Sequence, residues 1–242
     1  MKLNLACGSN YLDGWVNIDI DSDVADLELD LTQPLPYADG SVSYIYAEHF
    51  IEHIDQPSAL SFLRECKRVM ANNGVLRLST PSLYFLIVNY MEYNISTWGD
   101  LWMPATRAHM VNEGMRSWGH QFVYDSDELT RLAFEAGFNK IHFETWQSSE
   151  HDCLKGIETR GFHDELIVEL EFDQTLMDGE TKVEKDKLIQ RESKIHQSMS
   201  LVKENNLLKQ ELDRANQVIH AMKTKPISFA ISMLARKLRL RK

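Results

Sequence analysis

Between residues 1 and about 146 the hydrophobic period keeps changing, and this restricts the fold more than any other feature. Apolar runs at residues 3–6, 15–20, 24–31, 42–47 and 75–79 are each bounded by glycine, proline or acid. They alternate with stretches of helical spacing. Leu60, Leu63, Cys66 and Met70 share one helical face, and Asn72-Asn73-Gly74 after them predicts a left-handed cap. Asp125 with Glu128 predicts a helix start, Leu129, Leu132, Ala133 and Ala136 its buried face, and Gly137 its stop. Residues 140–146 and 165–172 alternate as strands and are close enough in sequence to pair antiparallel at a sheet edge. Strands alternating with helices predict an α/β fold, a mostly parallel sheet with helices on both faces. Ligands of such sheets lie at the carboxyl ends of the strands. Gly8, Asp19, Asp30 and Glu48 follow the first four strands.

Residues 83–124 hold nine aromatic residues, among them Trp98, Trp102 and Trp118. They predict a lid over the sheet edge or a small satellite core. From about residue 180 Glu, Lys, Gln and Asn dominate. Leu201, Asn205, Leu208, Leu212, Ala215, Ile219 and Met222 keep alternating spacings of four and three, a coiled-coil seam with Asn205 at an a position. Leu188, Ile195 and Val202 repeat every seven residues in a shifted frame, which predicts a stutter. Homo-oligomerisation through residues 188–222 is the expected purpose, because an isolated helix of this kind is marginal. The division expected is 1–175 for the main domain, 180–222 for the coiled-coil helix and 223–242 for a basic amphipathic tail.

Charge separates these parts. The net −10 is the sum of a −17 body and a +7 tail that contains no acid. An acidic body excludes a general nucleic-acid binder. In the tail, Ile227, Ile231, Leu234 and Leu238 form one stripe beside the basic cluster. This suits an anionic membrane surface or a partner protein. Cys7, Cys66 and Cys153 are dispersed and odd in number, which predicts neither a disulfide framework nor a thiolate zinc site. With no signal-peptide pattern and no run long enough to span a bilayer, a cytoplasmic location is expected, peripheral to the membrane's inner face if the tail binds lipid.

The loop Ala6-Cys7-Gly8-Ser9-Asn10 after the first strand is neither G-x-G-x-x-G nor a Walker loop. Its neighbours give it force. Asp19, ending the second strand, can accept both hydroxyl protons of a ribose. Asp30, ending the third, can accept an amine proton from adenine. Gly8 lets the backbone approach a ligand. Together they describe an adenosyl pocket.

The segments Leu3-Asn4-Leu5-Ala6-Cys7-Gly8, Gly14-Trp15-Val16-Asn17-Ile18-Asp19, Asp30-Leu31, Pro34-Leu35-Pro36 and Tyr44 through His53 resemble class I S-adenosylmethionine-dependent methyltransferases. So do Arg68-Val69-Met70 through Gly74, Gly119-His120 and Ala136-Gly137-Phe138. The likeness is greatest to a small bacterial branch often associated with surface-polysaccharide genes. It implies a Rossmann-like sheet with S-adenosylmethionine as cofactor. By position it implies that Ala6, Cys7 and Gly8 line the methionine part, Asp19 holds the ribose with Ile20 beside it in the cofactor site, Asp30 and Leu31 hold the adenine, and Ala47 and Glu48 face the methionine end and the substrate. Asn4 stands where an acid is usual and Ala6 where Gly is usual. Only ten residues separate Gly8 from Asp19, so the first helix is expected to be short.

Methyl transfer is an in-line displacement that depends on proximity, and an oxygen acceptor gains from a general base. His53, His120 and His49 are the candidates. A sugar or glycan hydroxyl is the expected acceptor, on the resemblance and the aromatic segment. A non-catalytic scaffold of the same fold, assembling polysaccharide enzymes through its helix, is the alternative. His49-Phe50-Ile51-Glu52-His53 also fits H-x-x-E-H, a zinc-hydrolase pattern if it lies on a helix. No downstream third ligand is evident, His120 and Glu165 being candidates that no pattern supports, and no metal centre is expected.

Overall fold

The computed structural model describes residues 1–92, 95, 102–160, 165–176 and 180–224. The early apolar runs become strands β1 (Lys2–Leu5), β2 (Val16–Asp19), β3 (Leu27–Glu28) and β4 (Val42–Glu48). Helix α1 (Gln56–Val69) leads into β5 (Met70–Thr80). Helices α2 (Leu83–Met91), α3 (Arg107–Arg116) and α4 (Ser126–Ala136) follow, then β6 (Lys140–Glu144), β7 (Leu166–Glu171), β8 (Lys182–Glu184) and α5 (Asp186–Thr224). One sheet holds all eight strands in the order β3-β2-β1-β4-β5-β7-β6-β8. The β3-to-β5 half is parallel, β7 runs antiparallel to both β5 and β6, and β8 adds a parallel edge. The expected antiparallel pair is therefore present, but β7 lies inside the sheet rather than at its rim.

Alternation along the strands sets the two faces. Leu3, Leu5, Ile18, Ile45 and Leu76 are buried in one cluster with Phe62 and Leu63 of α1 and Leu129 and Leu132 of α4. Tyr46 and Val75 belong to a second cluster. There the cover is Trp15 from a loop and Leu154 from a 3-10 turn, with Leu12 and Ile157 beside them. The helical cover is thus unequal. Asp125 caps α4 by accepting the Glu128 N–H at 2.8 Å, and Gly137 ends it at φ +94°, both as expected.

Several local expectations are corrected. The short first helix does not form; residues 6–15 are turns and irregular backbone. Asn17 holds them through its side chain, which accepts the Leu12 N–H and donates back to the Leu12 carbonyl. Asn72-Asn73-Gly74 is no cap, since α1 stops at Val69 with Met70 extended and residues 71–74 make an irregularity inside β5. Strand β3 has only two residues, so Asp30 lies beyond it. Residues 182–184 are a strand, and the long helix begins at Asp186. Of the two readings of 83–124, a satellite core is present: Leu86, Trp102, Met110 and Val123 are buried together. Trp98 lies outside the described residues.

Residues Met1–Ile195 form one compact unit and His196–Lys242 a second. Leu188, placed by its spacing in the heptad pattern, is buried in the core of the first unit. In the second unit Leu201, Leu208, Leu212 and Ile219 are exposed along the helix. The tail expectation falls on residues 225–242, which lie outside the described residues. No described helix is long and apolar enough to cross a membrane.

Candidate functional site

The site begins with a strained loop. Ala6 and Gly8 both have φ +52°. That conformation costs an L-residue about 1–2 kcal/mol, so Ala6 adopts at a cost what glycine would adopt freely. The Gly8 N–H donates to Asp19 Oδ2 at 2.8 Å, and Oδ1 accepts the Asp21 N–H at 3.0 Å. Two backbone amides thus fix the carboxylate and leave it further lone pairs for hydroxyls. Cys7 is buried, its N–H bonded to the Ile18 carbonyl. Ile20, next to Asp19, keeps 60% of its surface exposed and offers an apolar platform. Asn4 is buried and donates to the Asn10 carbonyl and to Asn17 Oδ1. An ionised acid has no proton to donate, which accounts for the amide at this position.

Asp30, Leu31, Ala47 and Glu48 differ from expectation. Asp30 is exposed, and its Oδ1 is engaged by the N–H and hydroxyl of Thr32 in a local turn. Leu31 and Ala47 bury their side chains in the main core, so only their backbones are available to a ligand. Glu48 accepts the Thr159 N–H and hydroxyl, both at 2.8 Å, and the Arg160 N–H at 2.9 Å. Its carboxylate therefore anchors a strap instead of standing open. Asn10 holds the same strap through the Ile157 carbonyl. Arg160 Nη2 lies 3.4 Å from where a Cβ on Gly8 would stand. The sequence reading missed Arg160, because no local pattern links it to a loop some 150 positions earlier.

The histidines come together at the end of β4. His49 has φ +52°, and its N–H is bonded to the Ser79 carbonyl. Residues 51–53 then make a single 3-10 turn. The H-x-x-E-H segment is not on a helix, so its histidines lack the spacing the zinc-hydrolase pattern needs. His49 is internal, with Nδ1 3.1 Å from Glu52 Oε1 and Nε2 3.7 Å from Glu165 Oε1. Burial works against its charge, but the Glu165 and Glu52 carboxylates outweigh it and push its pKa up to about 9. Its burial removes it as a direct contact for an acceptor.

His53 is half-buried, and its ring centroid is 5.0 Å from that of His120. Burial holds the His53 pKa below the usual histidine value; Glu52 opposes this, and His120, His49 and Arg160 add to it. The partnership with His120 is built by the backbone. The Gln121 and Phe122 N–H groups donate to the Glu52 carbonyl, and the Gln121 side chain donates to the His53 carbonyl at 2.8 Å. Trp118 at φ +58° packs its ring 5.6 Å from His120.

These residues fit an adenosyl cofactor with a carboxylate tail. Asp19 and Ile20 suit the ribose and a flat base, Gly8 gives close approach, and the Arg160 guanidinium beside Gly8 suits a carboxylate. The family profile described as "Methyltransferase domain" matches residues 8–143. Among curated proteins none matches the chain. Solved structures similar to it include a SAM-dependent methyltransferase from Archaeoglobus fulgidus, 15% identical, covering 70% of this chain and 84% of that one at a TM-score of 0.46. Another is an S-adenosylmethionine-dependent methyltransferase from Clostridium acetobutylicum, 10% identical, covering 71% and 83% at a TM-score of 0.44. On the profile match, which spans more than half of its length, the chain belongs to the methyltransferase-domain family, with S-adenosylmethionine as cofactor.

Proposed function

We propose that this chain is an active methyltransferase that methylates an oxygen of a hydroxyl-bearing acceptor, a sugar or glycan unit. The observation that carries this reading is the pairing of His53 and His120, rings 5.0 Å apart, beyond the end of β4. When bound, S-adenosylmethionine supplies an electrophilic methyl group. Asp19 holds the ribose hydroxyls, Ile20 underlies the base, and Arg160 holds the methionine carboxylate. His53 and His120 hold the acceptor's oxygen in line, which is where most of the rate advantage of such a displacement arises. Trp118, exposed next to His120, supports a sugar acceptor because a sugar ring offers a C–H face to stack on the indole. The second unit serves self-association through its exposed leucines.

Calorimetry with S-adenosylmethionine, with and without Asp19→Ala, tests the cofactor site. Loss of charge-assisted hydrogen bonds worth about 1.5–3 kcal/mol weakens binding roughly tenfold to a hundredfold. His53→Ala and His120→Ala each leave that affinity within about twofold, while turnover on the methylated acceptor falls at least about a hundredfold. A wild type that binds no S-adenosylmethionine overturns the enzyme reading. Binding without methyl transfer to any fraction of a cell extract favours the scaffold instead.

A further inference from the structure

Glu52 is the least explained side chain of the site. It is wholly buried, and its Oε2 accepts the Thr80 hydroxyl at 2.9 Å. Among the described residues its Oε1 is left without a well-formed hydrogen bond. His49 Nδ1 lies 3.1 Å from it and attracts it by charge. A buried carboxylate oxygen without a donor costs about 1–3 kcal/mol, a cost that a bound cation would relieve. The same Oε1 is 3.9 Å from His53 Nε2. One ligand atom each from Glu52, His53 and His120 lies within 4.8 Å of the other two.

The third member is already oriented. His120 Nδ1 is 2.9 Å from the Gly114 carbonyl oxygen. A carbonyl only accepts, so Nδ1 carries a proton, and Nε2 is the ring nitrogen left to offer a lone pair. A histidine donating one ring N–H to a backbone carbonyl is the usual outer support of a metal ligand. Glu52 has its own support in Thr80. The backbone bonds from Gln121 and Phe122 to the Glu52 carbonyl fix the His120 segment against the turn that carries both other ligands.

We infer that Glu52, His53 and His120 form a site for one divalent transition-metal ion, and that its open positions take oxygens of the acceptor. The second half of this rests on the methyl-transfer reading; the first does not. Two imidazole nitrogens and one carboxylate suit Zn²⁺, Co²⁺, Fe²⁺ or Mn²⁺ and disfavour Mg²⁺ and Ca²⁺, which prefer all-oxygen shells. Three protein ligands leave at least one position for solvent or substrate. A hydroxyl bound there becomes more acidic, as water does on such ions. An acceptor with two adjacent oxygens, such as the vicinal diol of a sugar, is the class that could chelate. His120 is far from Glu52 in sequence, and only the fold brings it beside the other two.

The test uses the full chain, stripped with a chelator and dialysed. Cobalt(II) chloride is titrated while visible absorption is followed, and zinc chloride is titrated by calorimetry. The expected result is saturation at one equivalent with ligand-field bands. His120→Ala and Glu52→Gln each weaken binding at least about tenfold, the usual cost of losing a ligand or its support. His109→Ala, in an exposed histidine outside the cluster, leaves it unchanged. S-adenosylmethionine affinity serves as the fold control for every variant, and His120→Ala removes only a half-exposed ring if Glu52→Gln fails to fold. No saturable binding, or wild-type binding in His120→Ala, overturns the site. A protein that binds cobalt but not S-adenosylmethionine keeps the metal site and sinks the methyl-transfer reading; the reverse sinks the metal site alone.

Discussion

Arg77 links the middle of the sheet to the strap at residues 157–160. It is fully buried on β5, donating through Nε to Glu158 and through Nη1 to Glu169 at 2.5 Å. One guanidinium thus serves two buried carboxylates, and Glu158 immediately precedes the Thr159-Arg160 pair that Glu48 anchors. Burial raises the Glu158 pKa and Arg77 opposes it. Arg77→Met keeps much of the side-chain volume but removes the cation, leaving both acids buried without it. The expected loss is about 3–5 kcal/mol in denaturant unfolding. The pH dependence has a definite sign. With its cation gone, Glu158 has a folded-state pKa further above its unfolded value, so the folded state binds the proton more tightly. Stability of the variant is then greatest in mild acid and falls as pH rises through the raised value. A variant equally stable across that range refutes the assignment. Cofactor affinity should weaken as well, because the strap holding Arg160 loses its footing.

At the scale of elements, the sequence was most legible where geometry is local. Gly8 lies in the loop just after β1 and Asp19 ends the adjacent β2, and a single hydrogen bond joins them. Asp125 and Gly137 bracket α4 because caps depend on a few consecutive residues. Gly74 shows the limit of such reading. Its place after a helical pattern suggested a left-handed cap, yet the residue is needed for space. A Cβ there would stand 3.0 Å from the Ala71 carbonyl oxygen and 3.1 Å from that of Val42. Glycine is identical in sequence whether it supplies a conformation or a close approach. Gly74→Ala therefore strains the β4–β5 irregularity and should cost about 1–3 kcal/mol. Circular dichroism should show unchanged helix content, whereas loss of a cap would fray α1. The strap at residues 157–160 was illegible for a different reason. Its contacts to Glu48 and Asn10 span more than a hundred positions, and only the placement of β7 between β5 and β6 brings them to the same sheet edge.

At the scale of the molecule, the long helix raises the question of what its second half is for. Its beginning is accounted for, since Leu188 is buried in the core of the first unit. Beyond Ile195, Leu201, Leu208 and Leu212 keep 63%, 56% and 60% of their surface exposed. A lone helix gains too little from its own hydrogen bonds to persist in water, so a stable one must bury its apolar face. Each such leucine is worth about 1.5–3 kcal/mol when fully buried. Three in one frame, with Asn205 at an a position, form the pattern by which identical helices pair in coiled coils. Sedimentation velocity of the full chain should therefore show an oligomer that dissociates on dilution. Leu208→Asp combined with Leu212→Asp places two charges in the seam and should give a monomer. Because neither residue belongs to the first unit, S-adenosylmethionine affinity should stay within about twofold, as independent sites do. A wild type that sediments as a monomer at every concentration defeats self-association. A fall in affinity on dissociation would mean that the cofactor site depends on a second chain.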